Sequence, residues 1–276
     1  MSTVSQFETH SIRSWTDPQL DTFARVDFTS PFVSPPRLPV GFCELDIANN
    51  ANIRAKATTE NITKTSAIYH ITSWDDTTNK SGSSNSFNLA PADLEFLTGE
   101  HFRDLISDPK SPASTRIYFA RPFVTPPEVV VFFNYIDLDK SRNWRLKTTA
   151  TDIDVHGFSL NIETWDDTIL YAAQAAWVAY PEDKPHIFST SVNTQEVRAW
   201  YKPQLEHSKS ISFGNVEFWK DPNVFVAWNM FDIDCGADFR LKMYADNVTQ
   251  QGLTWHIVTW SNTVLYAAGA TVIAVN

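Results

Sequence analysis

The sequence predicts an all-β protein made of three tandem β-sandwich units, each with six antiparallel strands. Three observations support this fold class. Four anchor residues recur in register along the 276-residue chain, and apolar and polar residues alternate with a period of two. No stretch carries the apolar spacing of an amphipathic helix. A repeat of about 90 residues, rich in short strands, fits one sandwich per repeat.

The internal repeat is defined by four anchors with common offsets. Its second and third copies lie 91 and then 95 residues further along the chain. The anchors are Pro35, Pro126 and Asp221; Asp46, Asp137 and Asp232; Arg54, Arg145 and Arg240; and Trp74, Trp165 and Trp260. A shared opening, HSIRSWTDPQLD at 10–21 and QEVRAWYKPQLE at 195–206, precedes them. We therefore expect three repeats, at 1–91, 92–183 and 184–276.

Alternation predicts about six strands in each repeat. GFSLNIETW at 157–165 and GLTWHIVTW at 252–260 alternate, and the segment 116–138 is rich in β-branched and aromatic residues. The joins NKSGSSNSFNLAPAD at 79–93 and YPEDKPHIF at 180–188 are rich in turn-forming residues. The first repeat departs from the others after its tryptophan, so we expect its final strand to be degenerate.

Composition and charge argue against several classes of partner. The net charge is −10 and no basic run occurs, which argues against nucleic acid and anionic membranes. No apolar run reaches the roughly 20 residues of a membrane helix, so membrane insertion is not expected. Two cysteines and no His/Cys cluster at ligand spacing predict neither a disulfide framework nor a metal site or cofactor. Residues 1–15 lack the apolar stretch of a signal peptide, which favours a cytoplasmic or non-classically secreted protein.

The anchors resemble those of the H-type lectin family, which includes snail agglutinins and the C-terminal domain of a discoidin. The second repeat carries the family's F-x(3)-F-x-x-PP opening, aspartate, arginine, GF pair and closing tryptophan and tyrosine, over residues 117–180. The resemblance implies sandwiches that associate around a threefold axis. It also implies binding of N-acetylgalactosamine, galactose-type or related sugars in clefts between units, without calcium. Three copies joined by short linkers then imply an intrachain pseudo-trimer that binds glycans or glycoconjugates. Further self-association of pseudo-trimers is left open.

The family's positions supply the candidate sugar-binding residues. Arginine has fixed donors that can reach two adjacent hydroxyls, and tryptophan can stack on the apolar face of a sugar. The candidates are Arg54, Arg145 and Arg240; Trp74, Trp165 and Trp260; Asp75, Asp166 and Ser261; Tyr171 and Tyr266; and, from the segment before a neighbour's first long strand, Asp17, Asp108 and Glu206. Structural alternatives are salt bridges for the arginines, packing for the tryptophans and a turn at Asp166. The aspartate anchors are expected to close turns or to pair with the arginine of their own repeat.

Two departures from the family bear on the site. The residue after the tryptophan is Asp or Ser where the snail agglutinins carry His, and a carboxylate selects hydroxyls differently from an imidazole. Lys80 occupies the family's tyrosine position, so the first repeat is expected to lack a standard site on that side. In the second repeat, Trp165, Asp166 and Tyr171 are expected to form one wall of a cleft with Arg145.

Two other functions remain as alternatives: a glycan-active enzyme, either a glycosidase or a lyase, and a protein-interaction module that binds no sugar. A glycosidase needs two carboxylates about 5–10 Å apart on opposite sides of the scissile bond. Asp166 and Asp167 are adjacent, and neighbouring residues of a strand point to opposite faces, so they do not supply that pair unaided. The third repeat has Ser261 and Asn262 there. The sequence therefore favours a multivalent lectin with no catalytic residues.

Overall fold

The computed structural model describes residues 2–276, and its regular structure is almost entirely β-strand. Within that range there are eighteen strands and two short 3₁₀ turns, at Thr9–Ser11 and Thr194–Glu196. The predicted all-β fold with six strands per repeat is confirmed. None of the helical segments in residues 2–276 has the length and apolar character needed to cross a membrane.

The strands fall into three groups of six. The first repeat holds β1 (Thr3–Glu8), β2 (Asp21–Asp27), β3 (Val40–Ile47), β4 (Ile53–Glu60), β5 (Ser66–Thr72) and β6 (Asn79–Asn88). The second holds β7 (Leu97–Asp104), β8 (Ser114–Tyr118), β9 (Glu128–Leu138), β10 (Trp144–Asp154), β11 (Gly157–Glu163) and β12 (Leu170–Tyr180). The third holds β13 (Ile187–Asn193), β14 (Glu206–Ser212), β15 (Asn223–Ile233), β16 (Phe239–Asp246), β17 (Gly252–Val258) and β18 (Leu265–Val275). We propose that the repeats divide at 91/92 and 183/184, between β6 and β7 and between β12 and β13.

Each six-stranded sheet is shared by two repeats. Sheet I has the order β1-β6-β3-β16-β17-β14 and joins the first and third repeats. Sheet II, β2-β5-β4-β9-β12-β7, joins the first and second, and sheet III, β13-β18-β15-β10-β11-β8, joins the third and second. The joins are antiparallel pairings of four residues: β3 with β16, β4 with β9 and β10 with β15. The three joins close a ring, so the repeats form an intrachain pseudo-trimer.

A separate apolar cluster, the axial cluster, lies where the three repeats meet. Its members include Phe87 and Leu89 of the first repeat, Val130, Phe132 and Val178 of the second, and Phe225, Ala227 and Ile273 of the third. Gly41, Phe132 and Ala227 are equivalent positions and meet in this cluster. A Cβ on Gly41 would lie 2.5 Å from the Ala227 Cβ and 2.6 Å from the Phe132 ring. One large side chain thus fills the space that two small residues leave.

The polar segment at the end of the first repeat is a strand. NKSGSSNSFN forms the ten-residue β6, which pairs with β1 and β3 and is almost wholly buried. The part of the predicted turn-rich join up to Asn88 is therefore strand rather than turn. Small side chains suit the space, because a Cβ on Gly82 would lie 2.8 Å from Leu45 Cδ2. Asn88 accepts a hydrogen bond from Ser86 at 2.5 Å and donates one to Ser5 at 2.7 Å, which satisfies these buried polar groups.

Ser84 of β6 gives a test of this polar packing. Its side chain is fully buried and its hydroxyl has no hydrogen-bond partner within the described part of the chain. The equivalent residues of the other repeats are Ala175 and Ala270. Because a buried unpaired hydroxyl costs about 1–3 kcal/mol, we expect Ser84→Ala to raise the free energy of unfolding by about 1 kcal/mol and Tm by about 2–4 °C in thermal unfolding. The control Ser86→Ala, which removes the donor to Asn88, should lower Tm. A lower Tm for Ser84→Ala would contradict this account.

Candidate functional site between the repeats

Three clefts lie where two repeats share a sheet. At each join, the arginine anchor of one repeat is the cross-strand partner of the aspartate anchor of the next repeat. The pairs are Arg54 with Asp137, Arg145 with Asp232, and Arg240 with Asp46. The expectation that each aspartate closes a turn or pairs within its own repeat is wrong, because the strands pair across the repeat boundary. We name the clefts by their arginines: the Arg54, Arg145 and Arg240 clefts.

These cross-strand pairs hold each guanidinium in place. The arginine Nε lies 3.4 to 3.6 Å from the aspartate Oδ1 in all three pairs. Burial raises the pKa of Asp137 to about 6, although Arg54 opposes the change. It also raises the pKa of Asp46 and of Asp232. The salt bridge predicted as the structural alternative for the arginines is present. The Nη1 of each arginine also donates to the turn after its tryptophan, at Asp76, Asp167 or Asn262.

The Arg145 cleft is open, with a volume of about 550 Å³. Trp165 and Asp166 line it beside Arg145, whose side chain is only 11% exposed. Asp166 has a φ of 57°, in the left-handed region that Asp tolerates, and its 69% exposed carboxylate lies 3.3 Å from the Arg145 Nη2. Asp167 accepts a hydrogen bond from the Arg145 Nη1 at 2.8 Å, which lowers its pKa. The two carboxylates thus turn to the same guanidinium rather than to opposite faces, because Asp166 lies in a turn and not in a strand.

The third repeat forms the opposite wall of the Arg145 cleft. Tyr266 donates a hydrogen bond to Asp234 at 3.1 Å, and burial raises the pKa of its phenol. Trp200 is 55% exposed beside it, with the ring centroids 6.4 Å apart. Gln195 and Met230 complete this wall. The sequence interpretation missed Trp200, although the openings at 10–21 and 195–206 both place a tryptophan two residues after the arginine, which is a signal for it.

Tyr171 belongs to a different cleft from Arg145. It donates a hydrogen bond to Asp139 at 2.8 Å, which raises its pKa, and Arg54 is among the charges that act on it. The expectation that Tyr171 shares a wall with the tryptophan and aspartate of its own repeat is wrong. The physical reason is that β11 and β12 belong to sheets III and II, so the chain crosses the sandwich between the tryptophan and the tyrosine. Tyr266 of the third repeat takes the expected place.

The Arg54 cleft is filled by aromatic side chains of the protein itself. The rings of Trp74 and Tyr135 have centroids 5.0 Å apart, and Tyr135 packs edge-on against Phe102 at 5.1 Å. Burial raises the pKa of Tyr135 to about 12. Asp75 lies 3.7 Å from the Arg54 Nη2, and its counterpart Asp166 lies 3.3 Å from the Arg145 Nη2. The tyrosine therefore covers the face of Trp74 that an open cleft would offer to a ligand.

The Arg240 cleft is open, with a volume of about 580 Å³, and differs chemically from the Arg145 cleft. Its lining includes Arg240, Trp260 and Ser261 of the third repeat and His10, Trp15, Glu44, Asp46 and Lys80 of the first. Lys80 lies at the position of Tyr266 and pairs with Asp238, which also accepts from the Arg240 Nη2 at 2.6 Å. The lysine that departs from the family pattern therefore changes this cleft rather than the Arg54 cleft.

The three acidic candidates from the opening segments lie in different surroundings. Asp17 is exposed in the turn after Trp15, and Asp108 is exposed in the turn after β7. Glu206 is the first residue of the edge strand β14 of sheet I. The opening segments instead contribute Trp15 and Trp200 to the open clefts. Across residues 2–276, no group of three or more His, Cys, Asp or Glu side chains is arranged to hold a metal ion.

Comparison with known proteins identifies the family. The model of the H-type lectin domain matches residues 23–83, 114–180 and 208–275, which together make up most of the chain. A protein of Fuscovulum blasticum named "ATP synthase subunits region ORF 7" is 33% identical over 63 residues, or 23% of this chain and 55% of that protein. The chain thus spans about half the length of that curated relative. With three matches to one domain model, the chain belongs to the H-type lectin family, a family of carbohydrate-binding proteins without enzymatic activity.

Proposed function

We propose that this chain is a multivalent lectin that binds glycans in the Arg145 and Arg240 clefts. The observation that carries the proposal is the composition of the Arg145 cleft. A buried, fixed guanidinium lies beside the exposed carboxylate of Asp166, and Trp165, Trp200 and Tyr266 surround them. Arginine donates to sugar hydroxyls, the carboxylate accepts from them, and aromatic faces pack on the apolar face of a sugar ring.

The ligands we propose are glycans with terminal N-acetylgalactosamine, galactose or a related sugar. The family resemblance supports this class. In this chain the acceptor beside the tryptophan is Asp166 rather than histidine, and a carboxylate can accept from two vicinal hydroxyls. Two open clefts in one rigid ring would let a branched glycoconjugate engage both, which raises avidity without new contacts.

We propose further that the clefts bind sugars without cleaving them. A glycosidase needs a protonated carboxylic acid with a raised pKa beside the glycosidic oxygen. In the Arg145 cleft, the hydrogen bond from Arg145 lowers the pKa of Asp167. Asp232, whose pKa is raised by burial, lies against the Nε of the same arginine. The carboxylates of this cleft are thus arranged around a cation rather than around a scissile bond.

Replacing Arg145 tests the proposal. We expect Arg145→Ala to weaken binding of N-acetylgalactosamine or galactose at its cleft by about 10- to 100-fold, because hydrogen bonds from a charged donor contribute about 1.5–3 kcal/mol. Isothermal titration calorimetry measures the affinity and the number of sites. The control is Arg142→Ala, a nearby arginine with a 51% exposed side chain that pairs with Asp167 at 3.4 Å, and it should bind as the unchanged protein does.

Two results would contradict the proposal. The first is a glycan array on which the unchanged protein binds no sugar. The second is unaltered binding after Arg145→Ala and Arg240→Ala are combined, which would place the sugar elsewhere.

A further inference from the structure

Sheet I carries a second cavity next to the Arg240 cleft. The join between β3 and β16 pairs 44–47 with 239–242, and the pairing ends at Lys242. Beyond that point lies a cavity of about 800 Å³, which we name the wedge. Its lining includes Lys242 and Trp260, which also line the Arg240 cleft. The cleft and the wedge are therefore neighbours that meet at these two side chains.

One face of β16 leads from the cleft into the wedge. Arg240, Lys242 and Tyr244 alternate with the buried residues Leu241 and Met243. Since successive same-face residues of a strand are about 6.7 Å apart, the three side chains form a track about 13 Å long. The track therefore runs from Arg240 in the cleft, past Lys242, to Tyr244 in the wedge.

A flat aromatic platform lies at the far end of this track. Tyr244 and His256 are cross-strand partners whose rings stack with centroids 4.5 Å apart and an interplanar angle of 4°. His256 is held by Asp246, with 2.9 Å between Nε2 and Oδ1. Tyr244 is 38% exposed. An exposed, fixed ring with a phenolic hydroxyl offers both stacking and hydrogen bonding to a sugar.

The charges of the wedge indicate what kind of chain it accepts. Its cation, Lys242, is paired with the buried Glu44 at 2.8 Å. Glu8 and Glu206 also line the wedge. Within residues 2–276, neither of them forms a salt bridge with a lysine or an arginine. The surplus of carboxylates disfavours a sulfated or uronic-acid chain and favours a neutral one.

Sheet III provides an internal comparison. A smaller cavity of about 320 Å³ adjoins the Arg145 cleft there, and the two share Met230. The residues equivalent to Tyr244 and His256 are Thr149 and Asn161, so the aromatic platform is absent from this cavity's lining. Of these two cavities, only the wedge of sheet I therefore has the aromatic platform.

We propose that the Arg240 cleft and the wedge form one extended site for a neutral oligosaccharide of several sugar rings. A terminal ring occupies the cleft, the chain passes Trp260 and Lys242, and a later ring packs on Tyr244. This inference rests on the proposed function and adds a substrate class to one of its clefts. The two open clefts would then differ, one binding a terminal sugar and the other a chain.

The test compares ligands of increasing length at the Arg240 site alone. In an Arg145→Ala background, titration calorimetry is carried out with galactose and with neutral galacto-oligosaccharides from the disaccharide to the tetrasaccharide. We expect the affinity to rise about three- to tenfold from galactose to the longer oligosaccharides, because a longer chain gains one aromatic contact with Tyr244. Adding Tyr244→Ala should remove this gain and leave galactose binding unchanged. Tyr244→Phe should keep most of the gain, and the matched control Thr149→Ala should keep all of it.

The outcomes separate the two proposals. Galactose binding with no gain for longer chains overturns the extended site alone, as does a gain that persists in Tyr244→Ala. Equal or tighter binding of an oligogalacturonate overturns the preference for a neutral chain. Failure of the unchanged protein to bind any sugar on the glycan array, N-acetylgalactosamine and galactose included, overturns the proposed function, and the extended site with it.

Discussion

Transferring the phenylalanine of the axial cluster from position 132 to position 41 is expected to recover part of the free energy of unfolding that either substitution alone removes. Phe132→Gly leaves a cavity in a fully buried site and should lower the free energy of unfolding by about 3–5 kcal/mol. Gly41→Phe places a second ring where even a Cβ would lie 2.6 Å from Phe132, and should cost about 3 kcal/mol or more. The double variant has one ring again and should recover about 1–3 kcal/mol.

Chemical denaturation of the four proteins measures this coupling as a double-mutant cycle. A matched control uses Ala227, the third equivalent residue: Ala227→Gly removes only a methyl group and should lower the free energy of unfolding by about 1 kcal/mol. If the double variant is as unstable as the sum of its two single changes, the residues do not share one space. That result would contradict the close packing of the three repeats around a common axis.

Arg198→Met is expected to have the second largest effect, on both stability and binding. Arg198 is buried and donates to the carbonyls of Leu265 and Tyr266 at 2.7 and 2.8 Å and to the His207 ring. Removing it leaves buried carbonyls unpaired, which should lower the free energy of unfolding by about 3 kcal/mol or more. The Trp200 loop and the start of β18 would lose their common anchor. Thermal unfolding and titration with N-acetylgalactosamine measure the two effects.

The first repeat supplies the control for this prediction. Arg13 donates in the same way to the carbonyls of Asn79 and Lys80, at 2.9 and 2.8 Å. Arg13→Met should therefore weaken binding at the Arg240 cleft and leave the Arg145 cleft unchanged. Arg198→Lys should not rescue binding, since an ammonium group lacks the planar fork that reaches two carbonyls together. If either variant weakened sugar binding equally at both clefts, the cause would be a general loss of stability rather than the loss of a residue that positions one cleft.

The sequence predicts those features that local patterns encode. Alternation within 157–165 and 252–260 predicts strands, and β11 and β17 lie there. Among the recurring arginines and tryptophans, Arg145, Trp165, Arg240 and Trp260 line open clefts. Pairing between repeats is not local. It places Asp232 opposite Arg145, and it separates Tyr171 from the tryptophan of its own repeat.

Closure of the Arg54 cleft is also beyond sequence reasoning. Tyr135 lies in an alternating, aromatic-rich strand, where its ring has the same pattern as a core residue. Only the pairing of β9 with β4 brings it beneath Trp74. The buried strand β6 could not be predicted from the sequence either, for the opposite reason. Its serines and asparagines have the composition of a turn, and hydrogen bonds from Asn88 to β1 and between Ser86 and β5 form only once the strands have paired.

Sharing each sheet between two repeats has a consequence for how the sites can diverge. A repeat presents its arginine to one neighbour and its tyrosine, or lysine, to the other, so a single substitution alters one cleft and spares the rest. In a trimer of identical chains, the same substitution would be made in every cleft at once. Here the covalent order of the repeats lets one cleft close with Tyr135 and another acquire Lys80, while the shared sheets keep the three repeats joined in one ring.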